Sequence, residues 1–92
     1  MHNQDAWIQL GNYIKKIREE KNISAYFIEQ KYGYSRNAWS RIENGKLKSA
    51  LKPETLQEIA SYLKINYLEL YLIVGYVDID SVIDFVNKLK KY

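Results

Sequence analysis

Apolar residues recur at three- and four-residue spacing along most of the chain, which is the spacing of amphipathic α-helices. In the first such stretch, residues 6–20, the apolar positions are Trp7, Leu10, Ile14 and Ile17, with lysines and glutamates on the far side. This pattern predicts a first helix, which Asn22 can end. No segment shows the continuous period-two alternation of a strand. The sequence therefore predicts an all-α fold.

Capping residues and glycines divide the next part of the chain into two short helices. Ser24 and Ser35 each precede a helical pattern, and a serine hydroxyl can accept a hydrogen bond from a free N–H group of the first turn. Gly33 lies between the two helices and tolerates the positive φ of a tight turn. The sequence thus predicts one helix from residue 25 to 31 or 32 and another at about 35–44.

Three more helices are predicted after a basic loop. Pro53 suits the first turn of a fourth helix that carries Leu56, Ile59, Ala60 and Leu63. Asn66 and Glu69, three residues apart, resemble a capping box for a fifth helix through Val74. Asp80 can cap a last helix, whose apolar stripe is formed by Ile79, Val82, Ile83, Phe85, Val86 and Leu89. This stripe either folds back on the core or pairs with its copy in a second chain, and we favour the homodimer.

The third helix has two chemically different sides. At about 100° per residue, its polar residues share an arc of roughly 140°, and its apolar residues lie opposite. The apolar side consists of Ala38, Trp39 and Ile42, and the polar side of Arg36, Asn37, Ser40, Arg41 and Asn44. Arginine can bind the edge of guanine and asparagine the edge of adenine through paired hydrogen bonds. The polar side therefore has the chemistry to read a DNA major groove.

Positive charge is concentrated around this helix. The whole chain of 92 residues has a formal net charge of +3. Residues 31–52 contain six basic residues and only one acidic residue, which is a net charge of +5, and the rest of the chain sums to −2. A local positive field favours a polyanion such as DNA, whereas a solvated basic surface is the ordinary alternative.

In their order along the chain, these elements resemble the phage repressor and Cro-type, or XRE-like, helix-turn-helix family. The resemblance covers about Leu10 to Val77 and includes "LGNYIKKIREEKNIS", "GYSRNAWSRIENGK" and "LKPETLQEIASYLKINYLELYLIVGY". It implies a five-helix, lambda-repressor-like helix-turn-helix domain at residues 1–77. Residues 78–92 would then form an additional amphipathic helix, for which we favour the role of a dimerisation element.

The resemblance also implies a role for individual residues in a regulator that binds double-stranded DNA, and we favour a repressor. Bases would be read by Arg36, Asn37 and Arg41. Contacts to the DNA backbone would come from Ser24, Ser35, Ser40, Asn44, Lys46, Lys48 and Lys52. Arg18 and Glu43 would form a structural ion pair that joins the first helix to the third.

Two positions depart from the family's pattern. Ala25 replaces the glutamine that often begins the second helix, and Glu29 stands where a small residue is preferred. Both lend weight to another function on the same fold, a protein-interaction module such as an antirepressor, an antitoxin or a phage-borne inhibitor. Its partner would be a protein such as a toxin or an antirepressor.

The remaining composition disfavours other classes of protein. The chain has no cysteine and none of the common nucleophile or metal-ligand motifs, so we expect no enzyme activity, no metal and no cofactor. Its longest charge-free apolar run is Leu70 to Val77, far short of a membrane span of roughly 20 residues. Without a signal-peptide pattern, a cytoplasmic location is expected.

Overall fold

The computed structural model describes residues 4–91, and in this range it contains six α-helices and no strand. The helices are α1 (Gln4–Glu20), α2 (Ala25–Tyr32), α3 (Arg36–Glu43), α4 (Pro53–Leu63), α5 (Tyr67–Val74) and α6 (Ile79–Leu89). The all-α prediction is confirmed. Residues 1–3 of the predicted segment 1–77 and residue 92 of the predicted segment 78–92 lie outside the described residues.

The helix starts follow from specific side-chain caps. Ser24 Oγ accepts a hydrogen bond of 3.0 Å from the N–H of Phe27, and Ser35 Oγ accepts one of 3.0 Å from the N–H of Ala38. These bonds satisfy N–H groups that have no partner within their own helix. Gly33 ends α2 with a φ of 78°, in the left-handed region. The turn between α2 and α3 is thus built as the sequence predicts.

The caps of α5 and α6 differ from the prediction. The Asn66 side chain caps α5, but the Glu69 carboxylate accepts a hydrogen bond from the Tyr13 hydroxyl of α1 instead of completing a capping box. Asp78, not Asp80, caps α6 and accepts a hydrogen bond of 2.8 Å from the N–H of Ser81. The assignment of the cap to Asp80 was wrong because α6 begins two residues earlier, so that Asp80 lies inside its first turn.

One core lies between α1 and the four helices that follow it. It consists of Trp7, Leu10, Ile14, Ile28, Trp39, Ile42, Leu56, Ile59, Ala60, Leu63 and Leu70. Every helix from α1 to α5 contributes at least one of these side chains, and α6 contributes none. Burial of this apolar surface holds the first five helices together as one unit.

Two glycines allow α1 and the end of α3 to meet. Gly11 is buried, and a Cβ atom there would lie 2.5 Å from the carbonyl oxygens of both Ile42 and Glu43. Gly45 follows α3 with a φ of 68°, and a Cβ atom there would lie 2.7 Å from Cα of Ile8. Any larger residue at either position would push the two helices apart. The orientation of α3 therefore depends on backbone contact with α1.

Two tyrosines, one in α5 and one just after it, bind the start of α4 and the end of the loop that precedes it. The Tyr71 hydroxyl donates a hydrogen bond of 3.2 Å to the carbonyl oxygen of Pro53, and the Tyr76 hydroxyl donates one to the carbonyl oxygen of Leu51. The Tyr76 ring also packs edge-on against Trp7, with 6.1 Å between the ring centroids. Tyr76 thus belongs structurally to the five-helix unit.

The apolar face of α6 is not folded onto the core. Of the six predicted interface residues, only Val82 is half-buried. The five that are exposed are Ile79, Ile83, Phe85, Val86 and Leu89. The sequence left two possibilities for this stripe, packing on its own core or pairing with a second chain. The structure does not show packing on the core.

Candidate nucleic-acid interface

Helix α3 separates its two kinds of side chain as the sequence predicts. Trp39 and Ile42 are 1% and 4% exposed, respectively, and Ala38 is half-buried. The outward side chains are all exposed: Arg36, Asn37, Ser40, Arg41 and Asn44. The helix is therefore held by its apolar side and presents a row of hydrogen-bond donors to the exterior.

A buried ion pair fixes the inner side of α3 to α1. Arg18 Nε lies 2.6 Å from Glu43 Oε2, and Arg18 Nη2 lies 3.1 Å from Glu43 Oε1, which makes the pair bidentate. The indole N–H of Trp39 donates a further hydrogen bond of 2.8 Å to the same carboxylate. The hydrogen bond to Glu43 raises the pKa of Arg18 above its ordinary value, against the effect of burial. The pair that the family resemblance implies is present.

The exposed side chains of Arg36, Asn37 and Arg41 have no bonding partner within residues 4–91. Within residues 4–91, none of the three side chains makes an ion pair or a side-chain hydrogen bond. Arg36 and Arg41 are five residues apart, so about 7.5 Å separates them along the helix axis, close to the rise of two base pairs. Their donors are free to bind an external acceptor.

The serines and the asparagine predicted to contact the DNA backbone are partly engaged within the protein. The hydroxyls of Ser24 and Ser35 cap α2 and α3. Ser40 Oγ accepts a hydrogen bond of 3.1 Å from Asn44 Nδ2. All four residues are exposed. Each retains further capacity, since a serine hydroxyl is both a donor and an acceptor and the Asn44 amide has a second N–H and a carbonyl oxygen.

A cleft beside the end of α3 brings three of the predicted contact residues together. Arg41, Lys46 and Lys48 line a space of about 260 Å³ between α3 and the loop to α4. Lys52 is exposed at the start of α4 and does not line this cleft. Three cations around one concave surface produce a positive potential suited to phosphate.

The structure makes the basic surface more positive than a count of residues suggests. Glu43, the one acid of residues 31–52, is buried, and its charge is neutralised by Arg18. The basic residues of this segment are all exposed: Lys31, Arg36, Arg41, Lys46, Lys48 and Lys52. The acid therefore subtracts little from the field on the outer surface.

The two departures from the family's pattern line one cavity. Ala25 and Glu29 border a space of about 370 Å³ between α1, α2 and α3. Glu29 is half-buried there and its negative charge favours the charged form of Arg18, yet no cation of the described residues lies within ion-pair distance of it. Lys15 and Arg36 line the same cavity. Sequence analysis missed Lys15 because it lies among the other solvated charges of α1.

The described part of the chain shows neither a metal-binding cluster nor a membrane-spanning helix. Residues 4–91 contain no group of three or more histidines, cysteines and acidic residues placed to hold a metal ion. Over the same residues, no helix combines the length and apolarity required to cross a membrane.

Comparison with known proteins agrees with this architecture. A family model described as helix-turn-helix matches residues 14–70. The HTH-type transcriptional repressor RghR of Bacillus subtilis (strain 168) is 35% identical over 68 residues, which cover 74% of this chain and 50% of RghR. The chain thus spans about half the length of this curated relative. No solved structure matches the chain. From the matched residues and the capped α2–turn–α3 unit within them, this chain belongs to the XRE-type helix-turn-helix family.

Proposed function

We propose that this protein is a transcriptional regulator that binds double-stranded DNA in a sequence-specific manner and acts as a repressor. The observation that carries the proposal is the exposed polar side of α3, on which Arg36, Asn37 and Arg41 have no side-chain partner within residues 4–91. It is held outward by a buried ion pair and an apolar inner side. An α-helix fits the major groove of B-form DNA. In helix-turn-helix proteins the second helix of the motif occupies that groove.

The base contacts would come from Arg36, Asn37 and Arg41. The guanidinium groups can each bind the two acceptors of a guanine edge, and the amide can exchange two hydrogen bonds with adenine. A good bidentate contact discriminates against a wrong base by about 1 to 3 kcal/mol. These side chains make no ion pair or side-chain hydrogen bond within the described residues. Binding to DNA would therefore break no such contact.

The backbone contacts would come from the cleft and from the starts of the helices. Lys46 and Lys48, with Lys52 nearby in sequence, would bind phosphates and supply affinity that depends on salt but not on base sequence. Ser40 and Asn44 would contact the backbone from the outer side of α3. Ser24 and Ser35 would act mainly by capping, which leaves other first-turn N–H groups for phosphate oxygens.

Two copies would act together on a roughly palindromic operator. Helix-turn-helix proteins commonly bind as dimers whose recognition helices enter major grooves about one helical turn apart. The exposed apolar face of α6 is the surface proposed for that association, through Ile79, Val82, Ile83, Phe85, Val86 and Leu89. The assignment as a repressor is supported by the similarity to RghR, which is named as an HTH-type transcriptional repressor.

A second candidate is a protein-interaction module such as an antitoxin, antirepressor or phage-borne inhibitor. The cavity bordered by Ala25 and Glu29 favours it, because an acidic, half-buried residue lies close to the surface proposed for DNA. Such a protein would use the same face to hold a partner protein. It would show neither a sharp sequence preference nor a steep salt dependence on DNA.

Selection of bound duplexes from a random pool, followed by titrations at several salt concentrations, tests the proposal. We expect one enriched, roughly palindromic sequence and an affinity that falls steeply with salt, at a slope of about −0.9 for each phosphate bound. The double variant Arg36→Ala, Arg41→Ala should lose the enrichment, and Lys64→Gln, outside the basic segment, should keep it. A flat selection with a shallow salt dependence would favour the interaction module.

A further inference from the structure

Helix α6 is an amphipathic helix whose apolar face meets solvent. Five of its apolar side chains are between 42% and 59% exposed, namely Ile79, Ile83, Phe85, Val86 and Leu89. Val82 completes the stripe and is half-buried. At about 100° per residue, Asp78 and Lys90 lie within this stripe, each roughly 60° from its centre and on opposite sides of it. An apolar face of this kind indicates a surface that another helix covers.

The residues of α6 are arranged symmetrically about Asp84, except that acids on one side correspond to lysines on the other. Equal steps on either side of Asp84 pair two apolar residues, two polar residues, or an acid with a base. The pairs are Ile83 and Phe85, Val82 and Val86, Ser81 and Asn87, Asp80 and Lys88, Ile79 and Leu89, and Asp78 and Lys90. The apolar positions thus map onto themselves, and the acids map onto lysines.

This symmetry suits two antiparallel helices related by a two-fold axis at Asp84, because each residue then meets the level of one of matching or opposite type. In that arrangement Ile79 lies at the level of Leu89 of the second copy, and Val82 at the level of its Val86. The acidic start of one helix then lies at the level of the basic end of the other, and the two helix dipoles oppose each other. A parallel pair would instead place Asp78 at the level of Asp78 of the second copy, and Lys90 at the level of Lys90 of the second copy.

We propose that the occupant of this apolar face is α6 of a second copy of the chain, packed antiparallel about a two-fold axis at Asp84. The inference rests on the proposed function in so far as that assigns self-association to α6. It adds the direction and the register of the pairing. Charge complementarity along the helix favours this occupant, because the reversed copy brings Lys90 to the level of Asp78 and Lys88 to the level of Asp80.

The outer side of α6 is consistent with this register. Asp84 lies opposite the centre of the apolar stripe. It forms an ion pair of 3.1 Å with Lys88, with both side chains about two-thirds exposed (67% and 66%). The like charges of the two Asp84 residues would therefore lie on the outer sides of the pair, away from the axis. The register brings no acid against an acid inside the contact.

The pairing should be weak without DNA. Helix α6 has 11 residues and is about 16 Å long, whereas a standard interface covers about 800 Å² of each partner. A single short helix covers less than that. We expect a monomer–dimer equilibrium at micromolar or higher concentration, shifted to the dimer when both copies occupy one operator.

Engineered disulfides test the pairing, because the natural chain has no cysteine. Single variants Ile79→Cys and Leu89→Cys would be oxidised alone and as an equimolar mixture, with a mass tag on one of them. A disulfide needs Cα atoms within about 7 Å, and residues 79 and 89 are about 15 Å apart along the helix. We expect the mixed disulfide to form at least tenfold faster than either disulfide between identical variants. Asp84→Cys, on the outer side, is the matched control and should not cross-link.

The possible results separate the pairing from the proposed function. Sizing and DNA titration of the unmodified protein would accompany the oxidation. A dimer that cross-links preferentially through two copies of Ile79→Cys would overturn the antiparallel pairing and leave dimerisation intact. A dimer that forms no disulfide from α6 would place the interface elsewhere and would also overturn it. A monomer at millimolar concentration and on operator DNA would overturn both the pairing and the dimer, while the titration would still decide base reading.

Discussion

Gly11 of α1 lies directly against the backbone of Glu43 in α3, so that a Cβ atom on Gly11 would come within 2.5 Å of the Glu43 carbonyl oxygen. The same glutamate reaches back through its carboxylate to Arg18, two helical turns along α1. The proposed recognition helix is thus tied to α1 through both its backbone and a side chain. Its position is set by packing and not by the short α2–α3 turn alone.

Gly11→Ala should destabilise the protein by about 1 to 3 kcal/mol, because the added methyl group has to displace backbone atoms of α3. This cost opposes the helix propensity of alanine, which alone would favour the substitution. Urea unfolding followed by circular dichroism measures the change. The neighbouring exposed position provides the control, and Asn12→Ala should alter stability by less than about 0.5 kcal/mol. Equal stability of the two variants would show that α1 and α3 can separate at little cost.

Glu43→Ala should be more destabilising, by about 3 to 5 kcal/mol, because it leaves the Arg18 guanidinium buried without its partner. The side chains of Arg18 and Glu43 are only 11% and 9% exposed, so solvent screens this charge weakly. The indole N–H of Trp39 loses its acceptor as well. Denaturant titration gives the loss of stability, with Glu20→Ala at an exposed position as the control.

A double substitution separates the stranded charge from the loss of the interaction. Replacing both partners with apolar residues, as in Arg18→Met with Glu43→Leu, should be less destabilising than Glu43→Ala, since no charge is left unpaired. If the double variant were as unstable as the single one, packing around Trp39 and not electrostatics would account for the effect.

Arg41→Ala and Lys46→Ala should change DNA binding in different ways, although both residues line the same cleft. Loss of a base contact by Arg41 should reduce the preference for the selected operator over random DNA by an amount equivalent to about 1 to 3 kcal/mol. Loss of a phosphate contact by Lys46 should weaken all sequences alike and reduce the salt slope by about 0.9. Titrations of operator and random duplexes across salt concentrations distinguish the two, and identical behaviour would contradict this division of roles.

Stability should fall in alkaline solution between pH 10 and pH 12. The hydrogen bond from the Tyr13 hydroxyl to the Glu69 carboxylate, together with burial, raises the pKa of Tyr13 from 10.0 to about 12. The pKa values of Tyr34 and Tyr62 are raised in the same direction, chiefly by burial. A group with a raised folded-state pKa contributes stability that is complete below the unfolded value and is lost as the pH rises through the folded value.

Thermal unfolding midpoints measured from pH 8 to pH 12.5 test this expectation. The variant Tyr13→Phe should be less stable than the natural protein at pH 8, because it lacks the bond to Glu69. Its midpoint should then decline less between pH 10 and pH 12. Parallel pH profiles of the two proteins would mean that the bond between α1 and α5 contributes nothing to the alkaline loss.

Local patterns were sufficient to predict the parts of the fold that depend on neighbouring residues. The starts of α2 and α3 follow from Ser24 and Ser35, and the two sides of α3 follow from helical spacing around Trp39 and Ile42. The cap of α6 was misplaced because Asp78 and Asp80 have the same chemistry, and only the backbone shows which of them lies outside the helix.

Contacts between distant residues could not be predicted in this way. Nothing in the sequence around Gly11 indicates that α3 packs against this residue. Glu69 forms a hydrogen bond with Tyr13, 56 residues away, instead of capping its own helix. The Arg18–Glu43 pair was expected only from the family resemblance, since neither position alone identifies its partner. The cavity beside Ala25 and Glu29 likewise depends on how three helices meet.

The hydrogen bond from the Tyr76 hydroxyl to the Leu51 carbonyl, with the ring against Trp7, has a practical consequence for dividing the chain. A fragment cut at Gly75, where α5 ends, would lose the group that holds the basic loop and would expose Trp7. A fragment cut after Val77 would keep both and remove only α6. The five-helix unit thus extends past its last helix, and the residues just beyond that helix hold the end of the loop next to Lys52.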